Sequence, residues 1–285
     1  MKKVSIILCL LIWSITACQN NTTTPSPNGI AVGDSSTNVN STDSEPALAV
    51  GGSVQFKEIK LQKQEGDCKE NVETVSPCVQ LNISYPSPIN GVPALQQNIE
   101  KAITDLILPD LMQKKEGQSI TLEQGAEEFV RLYKEEMKQN PDHIMPWEYE
   151  IHARNTHQSD QIITIQLDNY SFLGGAHPNS YVTYLNFDPK TGKQYSANEL
   201  VTDVNTLLPI AEKYFRQATE MDAKEKMADR GFEFPDEKFA LPKNIGYDEQ
   251  NLVLYYNPYE IAAYAQGPTE VKIPLTEVAQ LLRYQ

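Results

Sequence analysis

Histidine and cysteine are scarce in this chain, with four of each among 285 residues. The histidines, His143, His152, His157 and His177, form no His-Glu-x-x-His pattern, and no set of paired cysteines with histidines at zinc-ligand spacing is present. The sequence therefore offers no metal centre. It also lacks the Gly-x-Ser-x-Gly elbow of an activated serine and the Gly-rich, Lys-Ser/Thr-bearing loop that cradles phosphate. No cofactor is implied. Basic residues are outnumbered by acidic ones, 24 to 38, for a net charge of −14. That balance disfavours nucleic acid and anionic lipid surfaces as partners, since both call for basic patches. Carboxylates are plentiful enough for a glycosidase-type pair, but plenty alone marks no site.

Long apolar runs are missing too, apart from one at the start. Lys2 and Lys3 precede a mostly apolar stretch over residues 4–15, and Ile15-Thr16-Ala17-Cys18 follows. These are the three parts of an export signal. A dozen apolar residues are too few to span a hydrocarbon core of ~30 Å. Cys18 stands where a bacterial lipobox places the cysteine that is acylated and becomes the new N-terminus. Residues 1–17 are thus read as a lipoprotein signal peptide, and Cys18 as the lipid anchor to the membrane. Gln19 rather than an acidic residue comes next, so the expected location is the cell envelope, at the outer membrane facing the periplasm. Residues 18–50 are rich in Asn, Thr, Ser, Pro and Gly, which cannot bury enough apolar surface to offset ordering. They read as a disordered tether of ~30 Å r.m.s. span. Losing Lys2 and Lys3 with the leader leaves 22 basic against 38 acidic residues, a net charge of −16.

Two cysteines remain for the folded part, Cys68 and Cys78. In an exported protein they are expected to form a disulfide across a short loop. Strands are expected on either side of it, over residues 53–63 and 75–85. A helix opens at Pro93 and is expected to stop before Pro109. A second begins at the capping box Thr121-Leu122-Glu123-Gln124 and ends near Pro141. Alternation then predicts strands over 147–154, 163–168 and 180–187, with His152 and His157 solvated near a hairpin tip. A helix around Leu207 and Phe215 is expected to hold Pro209 in its first turn. A hairpin of residues 238–245 and 252–256, a strand at 270–273 and a short terminal helix complete the pattern. The fold class is α+β: antiparallel sheet with helices packed on one face.

One stretch organises the rest. Gly174-Gly175-Ala176-His177-Pro178 lies between two predicted strands. The glycine pair suits a loop that needs backbone conformations closed to other residues, and Pro178 holds His177 extended. Near the end stands a second motif, Asn257-Pro258-Tyr259-Glu260, running on through Tyr264 to Pro268. Together these two motifs, in this order, resemble the RsiV-like family. Its domain of unknown function 3298 usually follows a companion region, 4163. The resemblance covers residue 56 to the C-terminus, and implies a 4163-like half over 51–170 and a 3298-like half over 171–285. Family members include the extracellular domain of a lysozyme-sensing anti-sigma factor and the amino-terminal region of a peptidoglycan deacetylase. The expectation here is of neither a sigma-binding segment nor a separate deacetylase domain.

The resulting expectation is a binding domain rather than an enzyme. Gly174, Gly175, His177, Tyr181, Asn257, Tyr259 and Glu260 are its candidate residues. The acidic chain suits a basic partner such as lysozyme, and the resemblance adds a peptidoglycan component as another ligand. The alternative is a hydrolase or transferase acting on wall glycan through His177 and nearby carboxylates. A role for both motifs in shaping loops stands beside these readings.

Overall fold

Alternating apolar and polar side chains build a six-stranded sheet. The computed structural model describes residues 53–68, 77–112, 120–141 and 145–284. The strands, β1 (Phe56–Gly66), β2 (Cys78–Pro88), β3 (Trp147–Gln158), β4 (Ile163–Leu173), β5 (Asn179–Phe187) and β6 (Gln194–Tyr195), lie side by side in chain order. All neighbours are antiparallel except β2 and β3, which run parallel from Val79 opposite Trp147 to Ser84 opposite His152. A parallel step requires a crossover, and helices α1 (Pro93–Leu111) and α2 (Leu122–Gln139) supply it. The expected α+β class is found, with that one parallel pair added.

The helices cover one face. Pro93 occupies the first turn of α1, where its missing N–H costs nothing. Leu95, Ile99, Ile103 and Ile107 recur at helical spacing and are wholly buried against Leu81, Ile83, Ile151, Ile165 and Phe187 of the sheet. Contrary to the expected stop, α1 continues through Pro109 to Leu111. Burial of Leu108 and Leu111 outweighs the one backbone bond that Pro109 cannot make. In α2 the predicted capping box is present: Gln124 N donates to Thr121 Oγ1 at 3.3 Å and Thr121 N to Gln124 Oε1 at 3.0 Å.

Cys68 and Cys78 are disulfide-bonded, Cα atoms 5.0 Å apart, where β1 leaves off and β2 begins. Closing so short a loop is worth ~2–3 kcal/mol on the chain-entropy model. Reduction should lower the unfolding free energy by about that amount, and two free thiols in mass spectra of the unreduced protein would refute the bond.

A second, three-stranded antiparallel sheet comprises β7 (Ile245–Tyr247), β8 (Asn251–Tyr256) and β9 (Thr269–Pro274). The strand expected over 238–245 shortens to β7, because Pro242 lacks a ladder donor and Ala240 O instead accepts the Tyr256 hydroxyl at 2.7 Å. Two short helices, α3 (Ala197–Leu200) and α5 (Leu275–Val278), flank α4 (Val204–Ala218) in the sequence. Pro209 sits in the second turn of α4, not the first as expected, while Asp203 caps the N-terminus by accepting from Thr206 N at 3.0 Å. Phe215 of α4 packs against Phe232, Phe234 and Tyr256. The other face of β8 places Val253 and Tyr255 against Val182 and Tyr184 of β5, joining the two sheets.

The boundary expected after residue 170 falls inside β4. The leader, Cys18 and the tether lie outside the described residues, as does His143. Among the described residues no helix is long and apolar enough to cross a membrane.

Candidate functional site

Strand β5 has β4 along one edge, but on the other β6 pairs only with Asn186 and Phe187. The remaining edge would present bare backbone groups. Two asparagines cover it. Asn257 accepts from Val182 N at 2.8 Å and donates to Val182 O at 2.9 Å. Asn244 accepts from Tyr184 N and donates to Val182 O, both at 2.8 Å. Each side-chain amide thus stands in for a neighbouring strand, and Asn257 draws its own motif onto the segment that follows His177. The two signature motifs meet in space.

The turn after Asn257 is closed twice, by Glu260 N donating to Asn257 O at 3.1 Å and Asn257 N to Glu260 Oε2 at 2.9 Å. Tyr259 at its tip has φ +67° and is 65% exposed. A left-handed backbone at a tyrosine costs ~1–3 kcal/mol, and nothing buried is gained in return. Beneath it lies Tyr264, 5.5 Å away between ring centroids, and Tyr264 in turn stacks on His177 at 4.1 Å and 21°. The Tyr264 hydroxyl donates to Pro178 O at 2.7 Å. His177 Nδ1 lies 2.9 Å from the same carbonyl, which can only accept, so Nδ1 carries a proton. Three rings form one tier spanning both motifs.

Gly174 has φ +75°, and a Cβ there would lie 3.1 Å from Met145 Cβ. Gly175 has no such constraint, its nearest neighbour for a Cβ being His177 O at 4.0 Å. Gly174→Val should therefore destabilise by about 1–3 kcal/mol. Gly175→Val should cost well under half of that. Equal thermal shifts for the two variants would contradict this account of the loop.

Beside the tier opens a cavity of about 350 Å3, lined by Asp110, Tyr149, Tyr181, Ser180, Tyr259 and Tyr264 among others. Two hydroxyls converge on Asp110 Oδ2, from Tyr181 at 2.6 Å and Tyr149 at 2.9 Å. Asn169 Nδ2 donates to the Tyr149 hydroxyl at 2.9 Å. Burial, with the neighbouring Asp110 carboxylate adding to it, holds the Tyr149 and Tyr181 hydroxyls protonated well beyond the usual tyrosine range. Sequence reasoning found Tyr181 but missed Asp110, Tyr149 and Tyr264. Asp110 follows a proline at a predicted helix end, and no local pattern ties it to β5.

The open face of the large sheet is polar. Ser84 Oγ lies 3.0 Å from His152 Nδ1, and Asp168 sits opposite His152 across the ladder. A serine, a histidine and an aspartate thus share one surface, but Asp168 is engaged by Arg154 and Gln166. The surrounding strand N–H groups are consumed in the ladder, so among the described residues no pair of backbone donors is aimed at this surface. His157, expected in solvent, is half-buried: it packs on Tyr247 at 5.4 Å, and Nδ1 meets Asp248 O at 3.1 Å. Burial lowers its pKa. Among the described residues no trio of His, Cys, Asp or Glu is placed to hold a metal ion.

Comparison with known proteins bears on this arrangement. Residues 198–276 match the family model described as "Protein of unknown function (DUF3298)", and residues 72–180 match that described as "Deacetylase PdaC". The chain thus carries a DUF3298 domain and a PdaC-like domain. Among solved structures it is similar to a DUF3298 family member from Bacteroides fragilis, at TM-score 0.58 and 18% identity over 80% of this chain and 94% of the other. A DUF3298 family protein from Pseudomonas aeruginosa is similar at TM-score 0.54 and 18% identity, over 80% and 95% respectively. These likenesses establish a shared fold. No curated protein matches the chain.

Proposed function

We propose that this chain is an RsiV-like binding domain of the bacterial cell envelope, anchored through lipid on Cys18, which recognises a basic, lysozyme-like protein without catalysing a reaction. The observation that carries this reading is Tyr259. A large aromatic side chain is held outward on a strained backbone, with a stacked tier behind it. Strain kept at an exposed tip points to a role outside the fold, and rigid exposed tyrosines make effective interface anchors. Gly174, Asn257 and Glu260 serve by shaping the two loops, while His177, Tyr181 and Tyr259 face the partner and the unconstrained Gly175 leaves room beside them. The net charge of −16 expected after leader removal speeds encounter with a basic protein.

The hydrolase reading has less to stand on. His177 spends Nδ1 on Pro178 O and its ring face on Tyr264, and no described carboxylate hydrogen-bonds to it. The deacetylase in the name of the second family model is matched over the large sheet and its helices, where Ser84 and His152 lie on an open strand face whose Asp168 is engaged by Arg154 and Gln166.

Calorimetric titration with a c-type lysozyme, an equally basic unrelated protein and a peptidoglycan fragment tests the proposal. Saturable binding of lysozyme, tighter than that of the other basic protein, is expected, weakening as the Debye length falls from ~10 Å at 0.1 M salt to ~3 Å at 1 M. Equal weak binding to both proteins would remove the lysozyme assignment. Binding of the fragment alone would make the domain a wall-glycan receptor.

A further inference from the structure

We infer that the cavity beside Tyr181 is a receptor for one cationic side chain, a lysine or arginine of the partner, with Asp110 as its counter-ion. The inference builds on the protein-binding reading and names the group that the partner inserts.

The carboxylate is half spent and half free. Tyr181 and Tyr149 both donate to Oδ2, which fixes the carboxylate from one side. No described residue donates a hydrogen bond to Oδ1, and no described lysine or arginine pairs with Asp110. Asn169, only 3% exposed, braces Tyr149 from below, so the acceptor is positioned before any ligand arrives. Asp110 also stands in the last turn of α1, where the helix carbonyls concentrate partial negative charge. That turn contains no basic residue. Two sources of negative potential therefore coincide at the exposed Asp110, on the wall of the cavity, and no described lysine or arginine neutralises them.

The walls fit the same ligand. Tyr149, Tyr181, Tyr259 and Tyr264 all line the space. Tyrosine rings give apolar contact to an alkyl stem and electrostatic attraction to a cation over a ring face. A cavity of about 350 Å3 has room for an extended lysine or arginine side chain. An anion would be repelled by Asp110, and a neutral group would gain nothing from its charge. The position next to Tyr259 means that one partner surface could engage both.

The test separates this inference from the choice of partner. The 15N-labelled full chain is titrated with N-acetyl-lysine methylamide and, in parallel, with N-acetyl-norleucine methylamide, which lacks the charge. The lysine probe should shift the Asn169 side-chain amide and the Tyr181 backbone amide saturably. The norleucine probe should not, and Asp110→Asn, which still accepts from both tyrosines, should abolish the response. Lys114 and Lys115 follow α1 in sequence, so the titration is repeated in the Lys114→Ala/Lys115→Ala variant. Equal shifts from both probes, or none in either background, would overturn the inference. With lysozyme as ligand, Asp110→Asn should weaken binding about 5- to 30-fold. Tyr259-dependent lysozyme binding at full strength in Asp110→Asn would reject the pocket and leave the partner standing. A response to the lysine probe without lysozyme binding would support the pocket and reject the partner.

Discussion

Gly246→Val is expected to destabilise the domain by about 3 kcal/mol or more, the upper end for forcing bulk into a packed core. Gly246 lies in β7, where that strand crosses closest to β5. A Cβ there would fall 2.2 Å from Tyr184 Cδ1, 2.5 Å from Cγ and 2.7 Å from Cβ. The ring cannot simply swing away. Its hydroxyl donates to Gln166 Oε1 at 3.0 Å, and its backbone N–H is held by Asn244 at 2.8 Å. The sheets would have to part, and the Asn244 and Asn257 caps on β5 would part with them. The denaturant midpoint should fall with its slope unchanged. An unfolding free energy within ~0.5 kcal/mol of the parent's would show that this close approach is not what joins the sheets.

The second large effect falls on binding. Tyr259→Ala should weaken the complex with lysozyme by about 2 kcal/mol or more, roughly 30-fold in Kd, as expected for a central aromatic anchor. Stability should move the other way in a companion variant. Tyr259→Gly removes the same ring while relieving a left-handed backbone at φ +67°, so its melting temperature should hold or rise. A residue kept for packing would do the opposite, losing stability in both variants. Unchanged lysozyme binding in Tyr259→Ala would take the anchor role away.

Much of this was legible in local patterns. The capping box of α2, the Cys68–Cys78 bond and the strands β3, β4 and β5 depend on neighbours in sequence, and each is found. Thr164 and Gln166 of β4 are nonetheless buried where alternation alone would expose them. The meeting of the two motifs, with His177 and Tyr259 on one surface, has no such local signature. The errors arise where distant burial overrides a local rule. Pro109 ought to end α1, but Leu108 and Leu111 keep the helix going; Pro209 is carried into the second turn of α4, whose Leu207, Ala211 and Phe215 are buried. The parallel pairing of β2 with β3 has no signature in either strand, since it follows from where the two crossover helices deliver the chain. The work of Asn244 and Asn257 was equally hidden. An asparagine before a proline reads as a turn residue, and nothing nearby says that its amide will cap a strand 75 residues away. Asp110 is the plainest case, because its partners Tyr149, Asn169 and Tyr181 come from three different strands.

The central claim is that both motifs act as one partner-facing surface, and hydrogen exchange of the full chain with and without lysozyme tests it most directly. Binding should slow exchange together in residues 177–182 and 257–264, with the polar face of β1 and β2 unchanged. Protection confined to that polar face, or to one motif without the other, would contradict the claim.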